Sequence, residues 1–186
     1  MRGFSLVELL VVVGIFVVIT GVVLSNHTRF NSSVLLGNAA YDIALSVREA
    51  QVFGLSTRGT AGVFEVGYGV HFATPTSYLL FSDGDRNHRY DSESGTDTVL
   101  KTFGLQRGYV VVRYCGVRSN GTEDCSDNGA ALPHLDIAFL RPNPDATITS
   151  ANGILYSSAK ITLRSGSGET RTVSVQSTGQ IAVSNP

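Results

Sequence analysis

Apolar and polar positions follow three successive patterns along this chain, and each pattern predicts a different element. Residues 4–24, FSLVELLVVVGIFVVITGVVL, are apolar on every side of a helical wheel apart from one carboxylate, Glu8. As a helix such a run reaches about 30 Å, the hydrocarbon thickness of a bilayer. Hydrophobicity then falls, but helical spacing continues: Leu36, Ala40, Ile43, Val47, Ala50 and Phe53 recur four or three apart, with Asn38, Asp42, Arg48 and Glu49 elsewhere on the wheel. This predicts one amphipathic continuation to about Leu55, closed by STRGTAG at 56–62. Past residue 60 the period shortens. Strand candidates are 63–72, 78–81, 98–103, 109–115, 135–140, 159–164, 171–176 and 180–183. Ile161 and Leu163 alternate with Lys160, Thr162 and Arg164, as on a sheet with one wet face. SGSGE at 165–169 reads as a hairpin loop. RPNPDAT at 141–147 reads as a turn, because its prolines bar a central strand. No helical segment separates the strands, so the expectation is antiparallel sheet: an α+β fold with a long N-terminal helix packed on one sheet face.

Composition narrows the partners. The 186 residues are 42% hydrophobic and 16% charged, enough for a core, and the formal charge is −1 with no run of Lys or Arg. Neither a nucleic-acid footprint nor a polybasic membrane patch is indicated. The two cysteines, Cys115 and Cys125, bracket CGVRSNGTEDC, and in an exported protein they would pair across a loop or hairpin.

The glutamate in the apolar run needs an explanation. A carboxylate costs roughly 2.5–3.5 kcal/mol at the centre of a membrane helix and less near its end, where Glu8 lies. Buried charge is retained where something neutralises it, so Glu8 requires a partner. At this point GFSLVELL, residues 3–10, resembles the processing site of type IV prepilins and type II secretion pseudopilins: a small residue before the cut, Phe after it, and an acid five residues into the mature chain. The resemblance implies that a membrane-embedded prepilin peptidase cleaves between Gly3 and Phe4 and methylates the new Phe4 amine. It also implies that Glu8 pairs with the amino terminus of a neighbouring subunit during assembly, with Phe4 and Glu8 together setting register. Many members of that family carry a helix-bending proline where this chain has Ser25, although Gly14 and Gly21 can loosen the helix. Arg2 is the only base of a three-residue leader and suits the cytoplasmic side, so the remainder should face outward.

The chain also resembles the GspH/FimT branch of minor pilins and pseudopilins, through VREAQVFGLSTRG, GYGVHF, YLLFSDGDRNHRYD and ITLRSGSGETRTVSVQSTGQIAV in that order. The resemblance implies a type IV pilin-like fold in four parts: a leader at 1–3, a transmembrane and filament-core helix at 4–25, its amphipathic continuation at 26–57, and an antiparallel β domain at 58–186. The implied function is structural. The chain would be a minor subunit of a type IV pilus or type II secretion pseudopilus. It would meet other subunits, the peptidase and the inner-membrane assembly machinery, first as a single-pass inner-membrane protein and then in an extracellular or periplasmic filament.

Three chemistries remain to be weighed. In DGDRNHRYDSESGTD, Asp83, Asp85 and Asn87 are spaced like the first ligands of a calcium loop, with Asp91 and Glu93 as substitute ligands, and calcium does occur in some pseudopilins. However, His88 stands where such a loop wants Gly and Ser94 where it wants a bidentate Glu; the alternative is a solvated hairpin built from turn residues. Some FimT-like proteins take up DNA, which would imply a G-R-x-R motif near the C-terminus. Here that place reads Gly179-Gln180-Ile181-Ala182, and Arg164 and Arg171 alone make a weak footprint. Nothing argues for an enzyme: His27, His71, His88 and His134 are isolated, no G-x-S-x-G, H-E-x-x-H or phosphate loop is present, and His71 reads as a satisfied structural histidine.

Overall fold

One continuous helix, α1 (Leu6–Leu55), forms the spine of the computed structural model, which describes residues 5–56, 66–91, 96–127, 132–151 and 153–185. Its first half is dense in Val and Ile, yet in a bilayer only a helix satisfies every backbone amide within one segment. Its second half is seated by the stripe the spacing predicts: Leu36, Ala40, Ile43, Val47 and Ala50 are fully buried, and Phe53 is half-buried with its ring edge-on to Tyr68. The helix stops at Ser56, whose amide reaches the carbonyls of Val52 and Phe53 and whose hydroxyl donates to Phe53.

Ten strands follow: β1 (Gly67–Phe72), β2 (Ser77–Asp83), β3 (Thr98–Gly104), β4 (Val110–Val117), β5 (Glu123–Cys125), β6 (Leu135–Phe139), β7 (Ala146–Thr149), β8 (Ser158–Arg164), β9 (Thr170–Gln176) and β10 (Ile181–Ser184). They form two five-stranded antiparallel sheets, ordered β3-β2-β1-β6-β7 and β10-β9-β8-β4-β5. The α+β class is therefore present, with two sheets sharing one helix: α1 touches β1 and β6 of the first and β8, β9 and β10 of the second. Ala159, Ile161 and Leu163 of β8 point into the core beside Val173 and Val175 of β9, while Lys160 and Arg164 stay outside.

Two strands are additional to those the pattern marks. β7 begins at Ala146, within the stretch read as a turn; the turn is the part that holds the cis Arg141–Pro142 bond, and pairing with Phe139 draws the chain back into the sheet at Ala146. β5 is only three residues long and pairs Cys125 with Cys115 of β4, across a turn in which Asn120 and Gly121 (φ 85°) supply the bend. Strand candidate residues 63–65 and most of STRGTAG lie outside the described residues.

Polar ties fix the helix on the domain. Buried Gln51 accepts a bond from Arg48, and its amide donates to the carbonyls of Pro144 (3.1 Å) and Gly179 (3.4 Å). Arg171 donates to Ser33 Oγ at 2.9 Å, and Ser46 bonds the Tyr78 hydroxyl at 3.0 Å. Burial pushes Tyr78 up to about 12; Asp42 and Glu49 add to this and the Ser46 bond opposes it.

Candidate functional site

Two regions concentrate the residues singled out above. The first is the free surface of α1. Glu8 sits in the first turn, exposed, where an acid complements the helix dipole. Gly3 and Phe4 lie outside the described residues, so the cleavage site and the Phe4–Glu8 relation have no geometry here. From Leu6 to Leu24 the helix is long and apolar enough to cross a membrane, and none of it is buried against the rest of the chain. Exposed apolar side chains continue into the second half at Val34, Tyr41, Leu45 and Val52. Those positions are seven, four and seven apart and so share one face, turned away from the buried stripe. Beside this face an open groove of about 630 Å³ separates α1 from β3; Asp42 and Glu49 on the helix wall confront Lys101 and Arg107 on the other.

The second region is the loop from β2 to β3. Strand β1, GYGVHF, makes a flat floor for it: a Cβ on Gly69 would come within 2.7 Å of the Phe81 ring, and one on Gly67 within 3.1 Å of Asp83 Oδ2. Tyr90 returns over this floor and packs on Phe81 and His71, with ring centroids at 5.5 and 5.0 Å. Asp83, fully buried, accepts the amides of Asn87 (3.2 Å) and His88 (2.9 Å). Asp97 accepts those of Gly84 (3.0 Å) and Asp91 (2.8 Å), and the Asn87 side-chain amide donates to Asp85 and Asp91. Burial pushes Asp83 up to about 6, the His88 amide opposes it, and Asp85 and Asp97 push further; burial likewise raises Asp97.

Ligand atoms of Asp83, Asp85 and Asp97 all lie within 4.8 Å of one another. Hard carboxylate oxygens so converged suit calcium. His88 occupies the place of the calcium-loop glycine, and it adopts φ 63°, the left-handed conformation that glycine supplies there. Asp97 rather than Asp91 closes the triad, and Glu93 lies outside the described residues. Sequence spacing missed Asp97 because it lies 14 positions beyond Asp83, outside any calcium-loop spacing; its partners are two backbone amides that no motif encodes.

The remaining residues have simpler settings. Cys115 and Cys125 face each other across β4 and β5 with sulfurs bonded at 2.10 Å, and Arg113 donates to both. His71 Nδ1 donates to Asp136 Oδ1 at 2.6 Å. Asp136 is the residue the sequence reading overlooked: a lone carboxylate in the apolar run LDIAFL, which at a buried position requires a partner. Comparison with protein-family models, with curated proteins and with solved structures finds no match to this chain.

Proposed function

We propose that this chain is a structural subunit of a helical filament of the type IV pilus or type II secretion pseudopilus kind, of the GspH/FimT-like minor type. It is made as a membrane-inserted prepilin, cleaved between Gly3 and Phe4 and assembled through its N-terminal helix. The observation that supports the reading is the construction of α1: an unburied apolar half from Leu6 to Leu24 runs without a break into a half that is seated on the β domain by one face only. A plain membrane anchor needs no such rigid continuity. A filament does, because subunits must pack helix against helix while holding their outer domains at fixed positions.

Glu8 gives the assembly its register. In hydrocarbon the carboxylate is unfavourable until the amino terminus of a neighbouring Phe4 neutralises it, so correctly staggered neighbours are favoured over slipped ones. If the Asp83, Asp85 and Asp97 triad holds calcium, the ion supplies the charge that offsets three converging carboxylates and fixes the β2–β3 loop on the outer domain. DNA reception has less support, since Arg171 already bonds Ser33 and the Thr170 carbonyl. The test is incorporation of Glu8→Ala and Glu8→Gln into sheared filaments in the host machinery. Loss of incorporation with normal membrane levels is the expected result, and wild-type incorporation of both variants would refute the assembly role.

A further inference from the structure

Asp136 of β6 is fully buried between two histidines, and only one of its oxygens is satisfied. His71 holds Oδ1 at 2.6 Å. Among the described residues Oδ2 has no hydrogen bond, and His134 Nε2 stands 3.3 Å away, itself buried without one. The two imidazoles lie 5.2 Å apart, and the Tyr90 ring packs on His71 at 5.0 Å.

A buried carboxylate oxygen and a buried ring nitrogen left facing each other are unfavourable unless something positive lies between them. A proton on Nε2 would be the simple solution, but no hydrogen bond joins the two atoms across their 3.3 Å separation. A neutral imidazole keeps one ring nitrogen with a free lone pair. Tetrahedral ligands bonded at about 2.0–2.1 Å stand roughly 3.3–3.4 Å from one another. The observed 3.3 Å separation is one edge of such a tetrahedron.

We propose that His134 Nε2 and Asp136 Oδ2 bind a divalent transition metal of the zinc class, with water completing the coordination. His71 is a positioning residue: its bond to Oδ1 aims the other oxygen, as outer hydrogen bonds do for metal-ligating carboxylates. The nitrogen donor separates this site from the all-oxygen aspartate triad, which suits a harder cation.

The probe is Zn²⁺ added to the full chain in detergent, with thermal melting as the readout. Zinc should raise the midpoint of the wild type and of His88→Gln, and should leave His134→Gln unmoved. In His71→Gln the half-saturating zinc should rise by about 10–100-fold. No shift at millimolar zinc, an undiminished shift in His134→Gln, or a shift lost in His88→Gln would overturn the proposal. Should His134→Gln not fold, Cu²⁺ bound to the wild type gives a second reading: hyperfine coupling to an imidazole nitrogen is expected in its electron paramagnetic resonance spectrum, and a spectrum of oxygen ligands alone overturns the site.

Discussion

Gly54 and Gly37 lie on the same helix, and a single methyl group should have opposite effects at the two positions. A Cβ built on Gly54 comes within 2.5 Å of the Phe139 carbonyl oxygen, 2.8 Å of its Cβ and 2.9 Å of its carbonyl carbon. These atoms belong to β6, which is paired on both sides by β1 and β7, so the strand cannot recede. The helix end cannot recede easily either, because the Gly54 carbonyl accepts the Arg141 amide at 3.1 Å. Overpacking of this sort costs roughly 1–3 kcal/mol, against a gain in helix propensity of at most about 1 kcal/mol that shrinks in a last turn. The clash therefore wins, and Gly54→Ala should be destabilised by about 1–2 kcal/mol. At Gly37 no atom of the described residues lies within 4 Å of the added one. Only the propensity gain operates there, so Gly37→Ala should be stabilised by about 0.5–1 kcal/mol.

For a domain of this size each kcal/mol moves the midpoint by about 2–4 °C, giving a fall of roughly 2–8 °C for Gly54→Ala and a rise of roughly 1–4 °C for Gly37→Ala. The chain has no tryptophan, so near-ultraviolet circular dichroism of its tyrosines in detergent is the assay. If Gly54→Ala melted at or above the wild type while Gly37→Ala rose, the end of α1 would not be seated on β6 as described.

Three other outcomes are expected. With its folded value raised from 10.0 to about 12, Tyr78 contributes stability that is fully present below pH 10 and lost as pH rises through 12. An alkaline absorbance titration should show it among the last of the 7 tyrosines to ionise, and Tyr78→Phe should remove that part of the alkaline loss. The Cys115–Cys125 bond closes a loop with a sequence separation of 10, and Cys115→Ala/Cys125→Ala should lose about 2–3 kcal/mol. An unchanged midpoint, with no gain in mass on reducing the wild type, would contradict the bond. Calcium should raise the midpoint of the wild type but not of Asp85→Asn or Asp97→Asn, and an identical response to chelator in all three would remove calcium from the loop.

The helix was legible because its signal is local and long: the buried residues Leu36 to Ala50 repeat at the spacing of a helix that has only one face to bury. Strand β8 of the second sheet was legible through the alternation around Ile161 and Leu163. β5 and β7 were not, because three- and four-residue strands derive their order from partners, Cys115 for one and Phe139 for the other, rather than from a repeating pattern. The division into two sheets is likewise set by which strands pair, β1 with β2 and β6 in one and β8 with β4 and β9 in the other, a choice that the chain order does not contain. The acidic loop was legible as far as Asp83, Asp85 and Asn87, which are close in sequence. Asp97 depends on the pairing of β2 with β3, and the meeting of His71, His134 and Asp136 on the pairing of β1 with β6.

Processing of the N-terminus tests the central claim most directly. The full chain expressed beside a prepilin peptidase should yield, by intact mass and N-terminal sequencing, a product that begins at methylated Phe4, while the chain expressed alone retains Met1 to Gly3. A chain that keeps Met1 in the presence of the active peptidase would contradict the account and leave Leu6–Leu24 as a membrane anchor only.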